Sequence, residues 1–344
     1  MIETLGPPLQ RWLLFSGSLL LVGAVAWRGF IAPQARFRLS GGELSPASEL
    51  PEITVMERRV AGAALAASLI LLLAWGGRLW VQLMEFRDPF APLSEDLEYL
   101  ILQSSWGSVW MAQGGILLVL VAGFLVLRRR AGQTPPPSPG LTPEGIPRTT
   151  PRRLELPVRW AVVGAGVGFL LLTLSLSSHA MSVPGSRMLA VSADLLHTAA
   201  AGVWMGGLVF ILLVSRDAAG SKGYRLLATQ LPAFSPVAIV AVGTLLGMGV
   251  LLSTFHVHEV PALWESQYGR TLGAKVGVAL AVMAMGFWNW RRGLPRLQAS
   301  EGSGNESAAA LRVRRAAALE VALAVAVVLI TAILVATPVP PGAH

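Results

Sequence analysis

Residues 189–215 read LAVSADLLHTAAAGVWMGGLVFILLVS. Apart from Asp194 and His197, this stretch carries no ionisable side chain. It is longer than the roughly 20 apolar residues that a helix needs to cross the hydrocarbon core of a bilayer. Acids and histidines inside such a helix are costly and by default indicate a function. The stretch therefore predicts both a membrane-spanning helix and the region in which a functional site should be sought.

The rest of the chain has the same character, because 53% of its 344 residues are hydrophobic and only 13% are charged. Soluble domains usually carry about a quarter charged residues, so the composition excludes a soluble protein. Eight charge-poor runs are long enough to span a bilayer: about 12–32, 60–83, 105–127, 160–178, 189–215, 234–255, 272–290 and 316–336. We predict an all-α integral membrane protein, a bundle of eight transmembrane helices.

The first run also has features of a secretory signal, since Ala24-Val25-Ala26 resembles a small-residue cleavage site after an apolar core. The preceding residues 1–11 have no net positive charge, unlike the usual start of such a signal. We therefore expect this run to be retained as a membrane helix.

The distribution of basic residues predicts the orientation, because Lys and Arg accumulate in cytoplasmic loops. In the eight-helix topology, 21 of the 27 Lys and Arg residues lie in the loops after the first, third, fifth and seventh runs. Both termini are then periplasmic. No basic stripe with interleaved aromatic residues accompanies the net charge of +8, so we expect no nucleic-acid partner.

A proline-rich segment divides the chain. Residues 131–157 contain Pro135-Pro-Pro137 and five further prolines, which is typical of an extended or flexible linker. We predict an N-terminal three-helix membrane part at 1–130, a cytoplasmic linker at 131–157 and a five-helix part at 158–344.

Missing residue types and motifs restrict the chemistry. Without cysteine there are no disulfides and no thiolate ligands, so a transition metal must be held by His, Met, Asp or Glu. The chain contains no phosphate-binding P-loop, no nucleophile elbow and no His-Glu-x-x-His zinc motif. We expect neither an enzyme nor an ATP-driven pump.

The predicted topology places all five histidines on or near the outer side: His179, His197, His256, His258 and His344. His197 follows Asp194 by three residues, so both lie on one helix face and the carboxylate can orient the imidazole. Trp204 lies on the same face, seven residues further along. The alternative is a purely structural His–Asp hydrogen bond between packed helices.

Two short patterns supply further candidate ligands. His179-Ala-Met181 and His256-Val-His258 place potential ligands at alternate positions, which project to one side in extended backbone. Imidazole suits copper, and thioether selects Cu(I). His256 and His258 are equally well explained as solvated loop residues.

Two further charges fall inside predicted helices. Lys275 lies one turn into the seventh helix, where it can snorkel outward or pair with Asp194. Glu320 lies near the predicted start of the eighth helix, where a carboxylate suits the positive end of the helix dipole.

Several sequence elements, in this order, resemble the copper resistance protein D (CopD) family. They are Ser178-His179-Ala180, Asp194-Leu-Leu-His197 with Trp204-Met-Gly-Gly207, Phe234-Ser235, Tyr268-Gly-Arg270 with Lys275, Asn289 before Arg291-Arg292, and Leu319-Glu320 with Thr337-Pro338. The resemblance covers the last five runs well and the first three more loosely, through Arg11-Trp12 and Trp106-Gly107.

The resemblance implies a multi-pass protein of the bacterial inner (plasma) membrane that moves copper from the periplasm to the cytoplasm. It also implies a soluble periplasmic copper-binding partner, and it leaves open whether the copper is Cu(I) or Cu(II). The family's residues map onto His179, Asp194, His197, Trp204 and Lys275. His256 and His258 belong to a loop that varies in the family, so their candidacy depends on spacing alone.

Our leading hypothesis is that His179 and Met181, with His256 and His258, capture copper at the outer face and pass it to His197, which Asp194 orients. Only neutral imidazole binds a metal, so uptake should weaken as the pH falls through the histidine range. One alternative is a haem-binding membrane oxidoreductase in which His179 and His197 ligate one iron. Another is a non-transporting factor that delivers copper to a second membrane protein.

Overall fold

The computed structural model describes residues 2–39, 51–131, 152–178, 181, 185–216, 220–256 and 261–337. Within these ranges the chain is helical, with no strand, and the eight predicted membrane helices are confirmed as eight helices long and apolar enough to cross a bilayer. The helices are α1 (2–39), α2 (Pro51–Phe86), α3 (Ser105–Ala131), α4 (Arg152–Ser175), α5 (Arg187–Ser215), α6 (Gly220–His256), α7 (Gln267–Ala299) and α8 (Glu306–Ala336). Short helical segments at Leu93–Glu98, Tyr99–Gln103 and Ala262–Glu265 connect them.

Several helices extend beyond their apolar runs. Helix α2 begins at Pro51, nine residues before the predicted run, and α8 begins at Glu306, ten residues before its run. A helix continues as long as its backbone hydrogen bonds do, whereas the apolar run marks only the part suited to lipid. Charged residues such as Glu57 and Arg314 are therefore helical although they precede the apolar segments.

Three of the long helices contain a π-helical turn. These turns span Trp27–Ile31 in α1, Gly202–Gly206 in α5 and Asn289–Gly293 in α7. A π-helical turn inserts an extra residue into the helix and changes which side chains share a face, and such turns are frequent at functional sites. Side-chain positions beyond each turn consequently depart from the 3.6-residue period.

Contacts between helix ends show that neighbouring helices run in alternating directions. Gln113, early in α3, accepts a hydrogen bond from Arg78, late in α2 (3.1 Å). Near the opposite ends, Arg59 of α2 donates to the Val214 carbonyl of α5 (3.1 Å), and Arg314 of α8 donates to the Arg216 carbonyl (2.8 Å). We name the end with Arg78 outer and the end with Arg59 inner, following the orientation predicted from the basic residues.

Helix α1 packs closely against α5 through glycines. A Cβ at Gly206 would lie 2.7 Å from the Gly23 Cα, so the two backbones meet with no room for a side chain. Small residues at such crossings increase van der Waals contact, which drives helix association in lipid. Helix α1 thus contacts α2 and α5 alike. The division into parts at 1–130 and 158–344 stays a prediction, and most of the linker at 131–157 lies outside the described residues.

Candidate functional site

Several of the predicted ligands lie beyond what the structure describes. His179 and His258 are outside the described residues, as is the terminal His344, and for His256 only the backbone, at the end of α6, is described. Asp194, His197, Trp204 and Lys275 are described with their side chains, as is Met181.

Asp194 lies at a junction of three helices near the outer end. The Ser178 hydroxyl, just after α4, donates a hydrogen bond to Oδ2 of Asp194 (3.3 Å). Lys275 of α7 interacts electrostatically with the same carboxylate. Both Asp194 and Lys275 are partly buried. The structure therefore brings an acid of α5 and a cation of α7 together, which is one of the two positions expected for Lys275.

His197 is fixed by a backbone group of α6. Its Nδ1 lies 3.1 Å from the Leu245 carbonyl oxygen. Because a carbonyl only accepts hydrogen bonds, a neutral imidazole here carries its proton on Nδ1 and leaves the Nε2 lone pair for another partner. A Cβ at Gly249 would lie 3.2 Å from Cε1 of the ring, so this glycine provides space for the imidazole.

The hydrogen bond at Nδ1 differs from the sequence-based expectation for Asp194. That carboxylate was expected to orient His197, but the partner at Nδ1 is the Leu245 carbonyl. Lys275 also interacts electrostatically with His197, so its charge acts on both side chains. An influence of Asp194 on the imidazole would have to act at Nε2 or through Lys275.

Met181 lies beside the outer start of α5. Its backbone N–H donates to the Ser178 carbonyl (3.1 Å), and its carbonyl accepts from Nε of Arg187 (3.1 Å). Its side chain and that of Phe255 pack against Ala190 and Val191 of α5. Two of the predicted ligand-bearing segments, the one after α4 and the end of α6, therefore meet at the same turn of α5.

Trp204 belongs to a second polar cluster, deeper in the bundle. It lies in the π-helical turn of α5, and its indole is a polar neighbour of the carboxyl group of Glu320 in α8. Asn289 of α7 donates to Oε2 of the same carboxyl group (3.2 Å). The expectation that Glu320 lies near a helix start is wrong, because α8 begins fourteen residues earlier, at Glu306. The positive end of the helix dipole extends over about one turn and cannot account for a carboxyl group at this depth.

An arginine cluster near the inner end was missed from the sequence. Glu57 of α2 is buried, with 5% of its surface exposed. Nε of Arg28 lies 3.1 Å from its Oε1, and Arg36 forms a second ion pair with the same oxygen. Both arginines belong to α1. The only available signal was an acid beside Arg58-Arg59 in a basic region, which does not identify its partners.

A cavity of about 740 Å³ opens beside the outer loop between α2 and α3. Its wall includes Asp88, Glu95, Asp96 and Glu98, and none of the predicted ligands. Nowhere in the described part of the chain do three His, Asp or Glu side chains come together as a metal-binding group. The Asp194–Lys275–His197 cluster is the described group that combines a predicted ligand with ionisable side chains of two membrane-spanning helices.

Comparisons with known proteins point to one family. Residues 228–334 match the family described as Copper resistance protein D, and residues 1–137 match the Copper resistance protein D-like, N-terminal domain. The chain is also similar to the copper transport protein CutJ of Bacillus subtilis (strain 168), with 23% identity over 186 residues. That similarity covers 54% of this chain and 30% of the relative's length. No solved structure matches.

Proposed function

Because the chain belongs to the copper resistance protein D family, we propose that this multi-pass membrane protein binds copper near its outer end and moves it from the periplasm toward the cytoplasm. The bacterial inner membrane is the location that fits this role. A soluble periplasmic copper-binding protein is the partner that would deliver the ion.

The observation that carries the proposal is the Asp194–Lys275–His197 cluster. Three helices contribute to it, since α5 carries the acid and the imidazole, α6 supplies the Leu245 carbonyl and α7 carries the lysine. Ionisable side chains in membrane-spanning helices are expensive and are usually functional. An imidazole held through Nδ1 by a carbonyl is the usual arrangement of a histidine metal ligand.

The charges of the cluster indicate how a cation could enter. In the metal-free protein, Lys275 balances the charge of Asp194. A copper ion at Nε2 of His197 competes with Lys275 for that carboxylate, and Lys275 on its flexible stem can move outward when it is displaced. In this scheme the Asp194 carboxylate neutralises Lys275 before copper enters and the copper ion afterwards.

Capture at the surface is assigned to His179 and Met181, joined by His256 and His258. The support for this step is that Met181 packs with Phe255, the neighbour of His256, on one turn of α5. Imidazole and thioether together are a donor set suited to copper, with thioether favouring Cu(I). His197 lies ten residues into α5, about 15 Å along the helix axis, and receives the ion from that surface site.

Copper binding and copper flux in proteoliposomes test the proposal directly. We expect His197→Gln to reduce flux by at least about 10-fold, on the scale of losses seen when metal-site residues are changed. Trp27→Phe is the matched control, because it also removes a buried side-chain hydrogen bond, that to Gln230 (2.9 Å), but on α1 and away from the cluster. Equal flux in His197→Gln and wild type would eliminate the carrier role.

A further inference from the structure

Glu320 stands apart from the other described acids because it is buried without a cation. Only 6% of its surface is exposed. It lies fourteen residues into α8, about 21 Å from the helix start by the rise of an α-helix. No Lys, Arg or His in the described part of the chain forms an ion pair with it or interacts with it electrostatically.

The partners of Glu320 are two neutral donors. Nδ2 of Asn289 donates to Oε2 (3.2 Å), and the Trp204 indole, whose N–H can only donate, is the other polar neighbour of the carboxyl group. Gly286 provides space for the carboxyl group, since a Cβ there would lie 2.9 Å from Oε1. The group is therefore enclosed by α5 and α7 in a fitted polar pocket.

Both donors lie in π-helical turns. Trp204 is in Gly202–Gly206 of α5, and Asn289 begins Asn289–Gly293 of α7. Regular α-helix at these positions would direct the side chains differently, and π-helical turns are rare and occur frequently at functional sites. Two such turns directed at one carboxyl group indicate that the pocket serves more than packing.

Charged and titratable groups on the surrounding helices do not supply the missing positive charge. They include Arg28 on α1, His197 on α5, Tyr224 on α6, and Lys275, Arg291 and Arg292 on α7. Arg28 is paired with Glu57, and Arg292 lies over the Trp288 ring (3.9 Å to its centroid). A buried carboxylate with neutral partners costs several kcal/mol to keep ionised, so the protonated acid is the favoured form.

We propose that Glu320, Asn289 and Trp204 form a proton-binding site within the membrane-spanning bundle. The carboxyl group carries a proton at neutral pH and exchanges it with water. Trp204 lies seven residues after His197 on α5, about 10 Å along the axis. If copper moves as proposed above, the proton on Glu320 is released when the copper ion enters. This link to copper rests on the proposed function, whereas the proton-binding site itself does not.

Infrared difference spectroscopy of the reconstituted, metal-free protein tests the site. The wild-type spectrum minus that of Glu320→Gln should contain the carbonyl stretch of a protonated carboxylic acid, and this band should shift in D₂O. The same subtraction with Glu57→Gln should show a lost carboxylate and no acid band. An ionised Glu320 at neutral pH would overturn the proposal.

A second variant protects the test against misfolding of Glu320→Gln. Trp204→Phe keeps the acid but removes the indole N–H beside it, so the acid band should shift in frequency and keep its intensity. An unshifted band would mean that the indole does not contact the proton-bearing group and would overturn the three-residue site.

Copper addition separates the proton site from the proposed function. With bound copper measured in the same sample, the acid band should decrease in wild type and stay unchanged in His197→Gln. A band that persists while copper is bound would remove the link between proton and cargo. Failure of wild type to bind copper would contradict the proposed function and leave the acid band of the metal-free protein as the test of the proton site.

Discussion

Glu57 and Glu320 are both buried glutamates, yet the partners of Glu57 are cationic and those of Glu320 are neutral. Glu57 is 5% exposed and is paired with Arg28 and Arg36 of α1, whereas Glu320 is 6% exposed, accepts a hydrogen bond from an amide and has an indole as its other polar neighbour. Two guanidinium groups stabilise an ionised carboxylate, and neutral donors do so only weakly. Burial alone therefore does not separate a structural acid from a proton-binding one; the charge of the partners does.

Removing the Glu57 charge should have the largest effect on stability. In Glu57→Gln, Arg28 and Arg36 keep their charges without a counter-charge, and breaking a buried ion pair from one side costs about 3 kcal/mol or more. We expect the free energy of unfolding in mixed micelles to fall by about that amount. Arg36→Gln leaves the Arg28 pair in place and should cost less. Equal losses in the two variants would mean that the cluster acts through Arg36 alone.

The two tryptophan donors offer a matched pair with an intermediate effect. Trp27 and Trp204 both lie in π-helical turns; the Trp27 indole donates to the buried Gln230 (2.9 Å), and the Trp204 indole neighbours the buried carboxyl group of Glu320. Each change to phenylalanine leaves an acceptor short of a donor and should cost about 2 kcal/mol in unfolding free energy.

Copper flux should distinguish these two variants, because of the two tryptophans only Trp204 lies at the pocket around Glu320. We expect Trp204→Phe to change copper flux and Trp27→Phe to leave it near the wild-type value. If both variants reduced flux equally, the loss would follow from stability, and the comparison between Glu57 and Glu320 would lose its functional meaning.

The eight helices could be predicted because spanning length and low charge are local properties of a sequence. Partners across helices are not local. Glu57 meets Arg36 across 21 positions and a change of helix, and no periodicity connects them. The proximity of Trp204 to Glu320 depends on a π-helical turn, which a helical-face argument based on 3.6 residues per turn does not contain.

The candidate site likewise contains features that could be predicted from the sequence and features that could not. The proximity of Lys275 to Asp194 was open to prediction, since both are rare charges near the outer ends of apolar runs. The partner of Nδ1 in His197 was not, because a backbone carbonyl such as that of Leu245 has no signature in the sequence. Gly249 and Gly286 likewise matter for the space they leave, which becomes visible only once the helices are packed.

Replacing Glu320 by glutamine should change stability little. The amide has the shape of a neutral carboxylic acid, and its oxygen can still accept from Asn289. We expect the free energy of unfolding to change by less than about 1 kcal/mol, measured beside Glu57→Gln under identical conditions. A loss as large as that of Glu57→Gln would mean that Glu320 is ionised and paired in the native protein.

The smallest effect should come from an acid of the inner end that is paired but not buried. Nζ of Lys222 lies 4.0 Å from Oε1 of Glu52, with 62% and 31% of the two side chains exposed. Exposed pairs contribute about 0.5 kcal/mol or less and are screened by salt, so Lys222→Ala should leave the free energy of unfolding nearly unchanged at moderate ionic strength. Glu52 and Glu57 lie five residues apart on α2, and both have cationic partners. The losses of unfolding free energy in Lys222→Ala and Glu57→Gln therefore compare an exposed ion pair with a buried one. A loss comparable to that of Glu57→Gln would show that the cationic partner alone, without burial, determines what a carboxylate contributes to this fold.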